Sequence, residues 1–163
     1  FVTITKKILK SSKINPSDIA CIATSAIVPC MLPVSHDGKP LMNAVLYGVD
    51  TRAEKEIKEL NAVIGEKNIL QNCGNALTSQ SVGPKILWLK KNYPEIYKEA
   101  DKILSSTSYL VQKLTNEAVI DHYTAANFTP LYDIKNLKWT DSLTNNIIEL
   151  EKLPKLMLSL IHI

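Results

Sequence analysis

The spacing of hydrophobic and polar positions changes several times along this chain, and each change marks an element. In residues 1–13, Val2, Ile4, Ile8 and Leu9 recur at helical spacing, which predicts a helix ending near Asn15-Pro16, where proline offers no backbone N–H. Residues 19–25 (IACIATS) form an unbroken apolar run with β-branched members, the pattern of a buried strand. Residues 31–34 predict a second strand, and Ser35-His36-Asp37-Gly38 forms a turn cluster that reverses the chain. Residues 41–47 (LMNAVLY) then predict a third strand and complete a small meander.

From Thr51 the period becomes helical. Thr51 and Glu54 have capping-box spacing, Ala53, Ile57, Leu60 and Ile64 share one face, and Gly65 supplies the stop. Pro84 opens a second helix carrying Ile86, Leu87 and Leu89, which ends at Asn92-Tyr93-Pro94. A short helix after Pro94 leads to a brief buried run at 102–104, then to a helix over 106–114 that Asn116 ends. Residues 117–121 predict a short strand. Residues 123–128 and 141–150 predict further helices, the second capped by Thr140. No repeat, low-complexity tract or linker interrupts this order. The expected fold class is mixed α/β, with three strands early and helices later.

Composition narrows the function classes. Of 163 residues, 45% are hydrophobic and 21% charged, which excludes a disordered or fibrous chain. No apolar run approaches the ~20 residues of a membrane helix, and no basic segment leads into an apolar one at the start, so no membrane partner and a cytoplasmic location are expected. The net charge of +3 is small and scattered, unlike a nucleic-acid footprint. Cys21, Cys30 and Cys73 contain no CxxC pair and are expected to be small buried hydrophobes in a reducing compartment. His36, His122 and His162 have no carboxylate or thiol at metal-ligand spacing, so no metal is expected on residues of this chain. Arg52 is the sole arginine among 19 basic residues. Neither a glycine-rich phosphate loop nor a GxSxG elbow is present.

Both ends read as interrupted. Phe1 stands inside an apolar-periodic stretch without a first-turn cap. Residues 158–163 (LSLIHI) follow without a turn signal and resemble the translation of a transposon end used to build sequencing libraries. We expect residues 1–157 to be a partial domain and 158–163 a foreign tail.

Five segments occur in an order and spacing that carries a family resemblance: 37–41 (DGKPL), 46–53 (LYGVDTRA), 74–89 (GNALTSQSVGPKILWL), 108–115 (SYLVQKLT) and 121–126 (DHYTAA). Together they resemble the N-terminal domain of FGGY-family carbohydrate kinases, closest to the xylulokinase-like branch. The resemblance implies a ribonuclease-H-like domain of the actin and sugar-kinase type, truncated at both ends. It further implies transfer of the γ-phosphoryl group of ATP, with Mg²⁺, to a sugar hydroxyl in a cleft between two such domains. A xylulose-like ketopentose is the expected acceptor, with glycerol, ribulose or another polyol or ketose as alternatives. Family members carry the phosphate-binding hairpin before the segment matching Phe1, the catalytic aspartate after the segment matching Met157, and the adenosine pocket in the second domain. No catalytic, nucleotide or metal residue is therefore expected here, and the isolated chain is expected to be inactive.

The same resemblance assigns the sugar side. Ile27 and Val28 lie in the stretch that lines the acceptor pocket, where some xylulokinases carry Met-His. Asp50 and Arg52 match an Asp-x-Arg motif beside the cleft, although a plain helix start with an exposed arginine fits the same residues. Gln80 stands where related glycerol kinases place a sugar-contacting tyrosine, or is a solvated loop residue. Lys85 and Trp88 belong to a Lys-x-x-Trp helix and are expected as a helix-face cation and a core residue. His122 is expected to be a hydrogen-bonded structural residue, and Phe128 stands where an arginine is frequent. Expected partners are the sugar and the second domain of the same protein, with a homodimer left open. From a different class, a non-catalytic α/β binding module remains the competing reading.

Overall fold

Prolines and glycines set most element boundaries in the computed structural model, which describes residues 1–140 and 146–158. The first helix, α1 (Val2–Ser12), stops where Lys13 turns left-handed at φ 58° and its N–H returns to the Leu9 carbonyl. The helix forms as predicted, but none of its residues is buried, and Val2, Ile4 and Ile8 stay exposed. Residues 19–25 differ from expectation. Among the described residues they join no ladder, and 21–25 instead border a hollow together with Val119–Asp121.

Strand β1 (Leu32–Val34) pairs antiparallel with β2 (Lys102–Leu104), Leu32 facing Leu104 and Val34 facing Lys102. The expected meander partner at 41–47 contributes a single bridge, Val45 with Met31, and Pro40 just before it bridges Val34. Pro33 explains the interruption: its carbonyl accepts from the Leu41 N–H at 3.0 Å, but it has no N–H to return. The turn between them is as predicted, with Gly38 at φ 70° donating to the Ser35 carbonyl at 2.8 Å.

Helix α2 (Glu54–Ile64) starts without the predicted capping box. Asp50 accepts the Arg52 N–H at 3.2 Å, and this Asx turn places Thr51 outside the helix, where only its carbonyl reaches Glu54 N–H. Gly65 ends α2 at φ 88° and opens α3 (Glu66–Cys73), a helix the sequence pattern did not reveal. Next come α4 (Val82–Asn92), α5 (Pro94–Glu99) and, after β2, α6 (Ser106–Thr115), capped by the Ser105 hydroxyl and closed by left-handed Asn116. Strand β3 (Val119–Asp121) leads into α7 (His122–Ala126), whose cap is the Asp121 carboxylate. A hairpin of β4 (Tyr132–Asp133) and β5 (Lys138–Trp139) follows, and β6 (Lys155–Met157) returns parallel to β3. Of the helix predicted over 141–150, residues 141–145 lie outside the described residues, and Leu150–Lys152 form a single 3-10 turn. The class is mixed α/β as expected, but the strands are spread through the chain, not gathered at its start. Among the described residues no helix is long and apolar enough to cross a membrane.

Helix α4 runs through the core: Val82, Ile86 and Leu89 are fully buried among Ile69, Ile103, Phe128, Leu131 and Ile147. Cys30 and Cys73 are buried as expected, whereas Cys21 is exposed because its segment is uncovered. Burial pushes the Cys73 thiol up to about 11.

Gly83 is where α4 meets the loop at 129–130. Its N–H donates to the Thr129 carbonyl at 3.1 Å, and a Cβ there would lie 2.6 Å from that oxygen and 2.6 Å from Pro130 Cδ. Glycine-to-alanine in a free helix gains about 0.5–1 kcal/mol. Here the backbone clash reverses the sign, and Gly83→Ala is expected to destabilise by about 1–3 kcal/mol. The urea midpoint measures it, and a midpoint at or above wild type would contradict this packing.

Candidate functional site

The loop after Val45 is built to present two charged side chains. Gly48 at φ 75° lets the chain reverse, and Val49 N–H closes on the Tyr47 carbonyl at 2.8 Å. Asp50 and Arg52 then form a two-point fork: Arg52 Nε donates to Oδ1 and Nη2 to Oδ2, each at 2.7 Å. The guanidinium carbon sits 4.7 Å from the centre of the Trp88 ring, and Trp88 tilts against Tyr93 at 5.4 Å. Burial alone would raise the Asp50 carboxyl, but the Arg52 hydrogen bonds and charge outweigh it and hold the group below the ordinary carboxylate range. Ala44, Leu46, Val49, Trp88 and Tyr93 complete an open hollow of about 640 Å³ around the pair.

Helix α4 holds this loop at two points three residues apart, on one helix face. Trp88 underlies Arg52, and Lys85 Nζ donates to the Leu46 carbonyl at 2.6 Å. Lys85 is only 1% exposed, so the expected surface cation is a core residue. Burial lowers its pKa, partly opposed by the charge of Asp50. Trp88 is half-buried against the core, an aromatic platform as much as a core residue. A lysine inside the unbroken run 82–89, three residues before a tryptophan, was the available signal for this tie. Lysine on a helix usually means solvent, which hid it.

The other expected sugar-side residues lie elsewhere. The Ile27 carbonyl accepts from the Ser106 hydroxyl and its side chain is 58% exposed. Val28 lines a separate, largely apolar hollow of about 530 Å³ with Thr24, Thr107, Val111, Asp121 and Tyr123. Gln80 is exposed beside a third hollow of about 320 Å³ with Asn75, Thr78, Ser81 and Asn127. Asp50 and Arg52 are thus brought together, while Ile27, Val28 and Gln80 do not share their hollow. His122 has the expected structural partner, Nδ1 lying 2.6 Å from the Tyr132 hydroxyl, and Phe128 is fully buried. Among the described residues no three His, Cys, Asp or Glu side chains gather as a metal site. These residues do not fit a Mg²⁺ site.

Residues 1–161 match the N-terminal domain of the FGGY family of carbohydrate kinases. The chain belongs to this family. The glycerol kinase of Thermococcus kodakarensis is 35% identical over 160 residues, covering 94% of this chain and 30% of that protein. The xylulose kinase of Staphylococcus xylosus is 26% identical over 131 residues, covering 80% of this chain and 27% of the relative. The chain therefore spans about three-tenths of the length of such relatives. Among solved structures, Plasmodium falciparum glycerol kinase with ADP superposes at a TM-score of 0.81, with 29% identity, over 93% of this chain and 31% of that one. Ligand-bound xylulose kinase from Lactobacillus acidophilus gives 0.80 at 25% identity, over 94% and 31%. The fold of this family member is ribonuclease-H-like, of the actin and sugar-kinase type, as the resemblance implied.

Lys85 gives a pH signature with a defined sign. Its folded pKa lies below the ordinary 10.5, so the unfolded chain binds more protons, and stability rises as pH climbs toward 10.5. Tyr97 and Cys73, both raised by burial, act oppositely at high pH, so the comparison is with Lys85→Met, which keeps both. The stability difference between wild type and Lys85→Met is expected to move in favour of wild type from neutral pH to 10.5 in urea titrations. A difference independent of pH would place Lys85 in solvent.

Proposed function

We propose that this chain forms the acceptor side of an ATP-dependent carbohydrate kinase that phosphorylates a hydroxyl of a xylulose-like ketopentose. The Asp50–Arg52 fork supports this reading. A guanidinium has five N–H donors and the fork uses two, leaving three for sugar oxygens. Trp88 fixes its plane, and planar multi-point donation orients a polyol better than a point charge does. Ile27, Val28 and Gln80 would face the acceptor once the remainder of the protein closes on this lobe, the aliphatic pair and the amide setting which sugar is taken.

The chemistry still requires a carboxylate to accept the hydroxyl proton and groups that hold the phosphates. We assign these, with ATP and Mg²⁺, to parts of the whole protein outside residues 1–157, and we assign residues 158–163 no role. Glycerol is the second acceptor to consider, because a glycerol kinase matches at 35% identity over 160 residues.

The test is ADP release by the whole protein carrying this chain, with ATP, Mg²⁺ and xylulose, ribulose or glycerol. Xylulose is expected to give the highest kcat/KM. Arg52→Lys, which loses the fork but keeps the charge, is expected to lower kcat/KM about tenfold, chiefly through KM. Preference for glycerol would move the acceptor, and no turnover with any polyol would remove the kinase reading.

A further inference from the structure

Among the described residues Lys85 is the only buried lysine. A buried ammonium is costly unless it is paired and hydrogen-bonded, and a methionine would fill the same space without that cost. The charge therefore calls for a reason, and its neighbours supply one. Nζ holds the Leu46 carbonyl at 2.6 Å, at the start of the loop that carries the fork. The charge of Asp50 favours the ammonium, and that of Arg52, the other cation of that carboxylate, opposes it. The fork is part-exposed, with the Arg52 side chain at 37% and that of Asp50 at 15%, and Trp88 sets the guanidinium plane, so the direction in which Arg52 points depends on where Asp50 is held. Something beneath the loop must fix Asp50 if Arg52 is to hold one orientation.

We propose that Lys85 is a positioning residue for the acceptor site: its ammonium ties down the Leu46 carbonyl at the start of the loop, so that Asp50 is held where it anchors Arg52 in the orientation offered to the substrate. Lys85 does not touch the sugar. It acts through two links, backbone to Asp50 and Asp50 to Arg52. The identity of the substrate rests on the kinase reading, but the positioning of Arg52 does not.

Arg52 is the sole arginine, so its Nε–Hε pair gives a single side-chain signal in a ¹H–¹⁵N spectrum of the chain. In wild type that proton is expected to exchange slowly with water. In Lys85→Met, with the amide spectrum still folded, it is expected to exchange about tenfold faster, the scale of one charge-assisted hydrogen bond. An unchanged rate in folded Lys85→Met overturns the proposal. Lys85→Ala provides a second route, since propylammonium replaces the lost atoms and propanol replaces them without the charge. Slow exchange restored by propylammonium alone supports positioning by the cation. Restoration by both or by neither, or loss of fold in both variants whatever is added, overturns it.

In the whole kinase, Lys85→Met is expected to raise the acceptor KM about tenfold while kcat changes less. An unaltered KM there overturns the proposal even if the enzyme is active. Failure of the wild-type protein to phosphorylate any polyol ends the kinase reading and leaves the exchange result standing.

Discussion

A buried ammonium has to be compensated where it lies, and the compensation found by Lys85 organises the functional face of this protein. The lysine sits on α4, whose other faces are occupied by the core, so its charge must be met by whatever chain passes over the helix at that point. The Leu46 carbonyl and Asp50 meet it. Because those groups belong to one short loop, satisfying the lysine also fixes where Arg52 emerges, and Trp88, on the same helix face, receives the guanidinium. Core packing and site geometry are thus two demands on a single helix.

Gly83 shows how little slack that helix has. A missing methyl group lets the loop at 129–130 lie directly against α4, which sets the helix's depth and with it the height of Lys85 and Trp88 beneath the loop. The movement of α4 demanded by a carbon 2.6 Å from the Thr129 carbonyl and Pro130 Cδ would be felt at both ends of this arrangement, since packed interiors transmit displacement instead of absorbing it.

The match to the N-terminal domain of the FGGY carbohydrate kinases takes in about three-tenths of relatives such as the Thermococcus glycerol kinase. The fork, the Val28 wall and Gln80 border separate openings on this lobe. In the proposed kinase, closure of the second lobe is what would make one pocket of them. The exposed apolar residues of α1 and of 19–27 lie uncovered on the described chain, and their burial state follows from pairing and not from their own pattern.

Local order was legible from sequence wherever a residue's own backbone chemistry decides it. Pro94 opening α5, left-handed Asn116 ending α6 and the Ser35–Gly38 turn all follow from donors, ring closure or glycine freedom within a few residues. Five ordered segments were enough to indicate the family, and the family's Asp-x-Arg motif pointed to two residues, Asp50 and Arg52, that the fold brings into contact. Tertiary structure decided what depends on a distant partner. Residues 19–25 have a strand's composition but enter no ladder among the described residues, and 41–47 faces a proline that cannot complete one. Thr51 lost its capping role to an Asx turn that exists because Arg52 is held by Asp50. Lys85 is the clearest case: sequence places a lysine on a helix, but only the chain crossing above it determines that the charge is buried and what it holds.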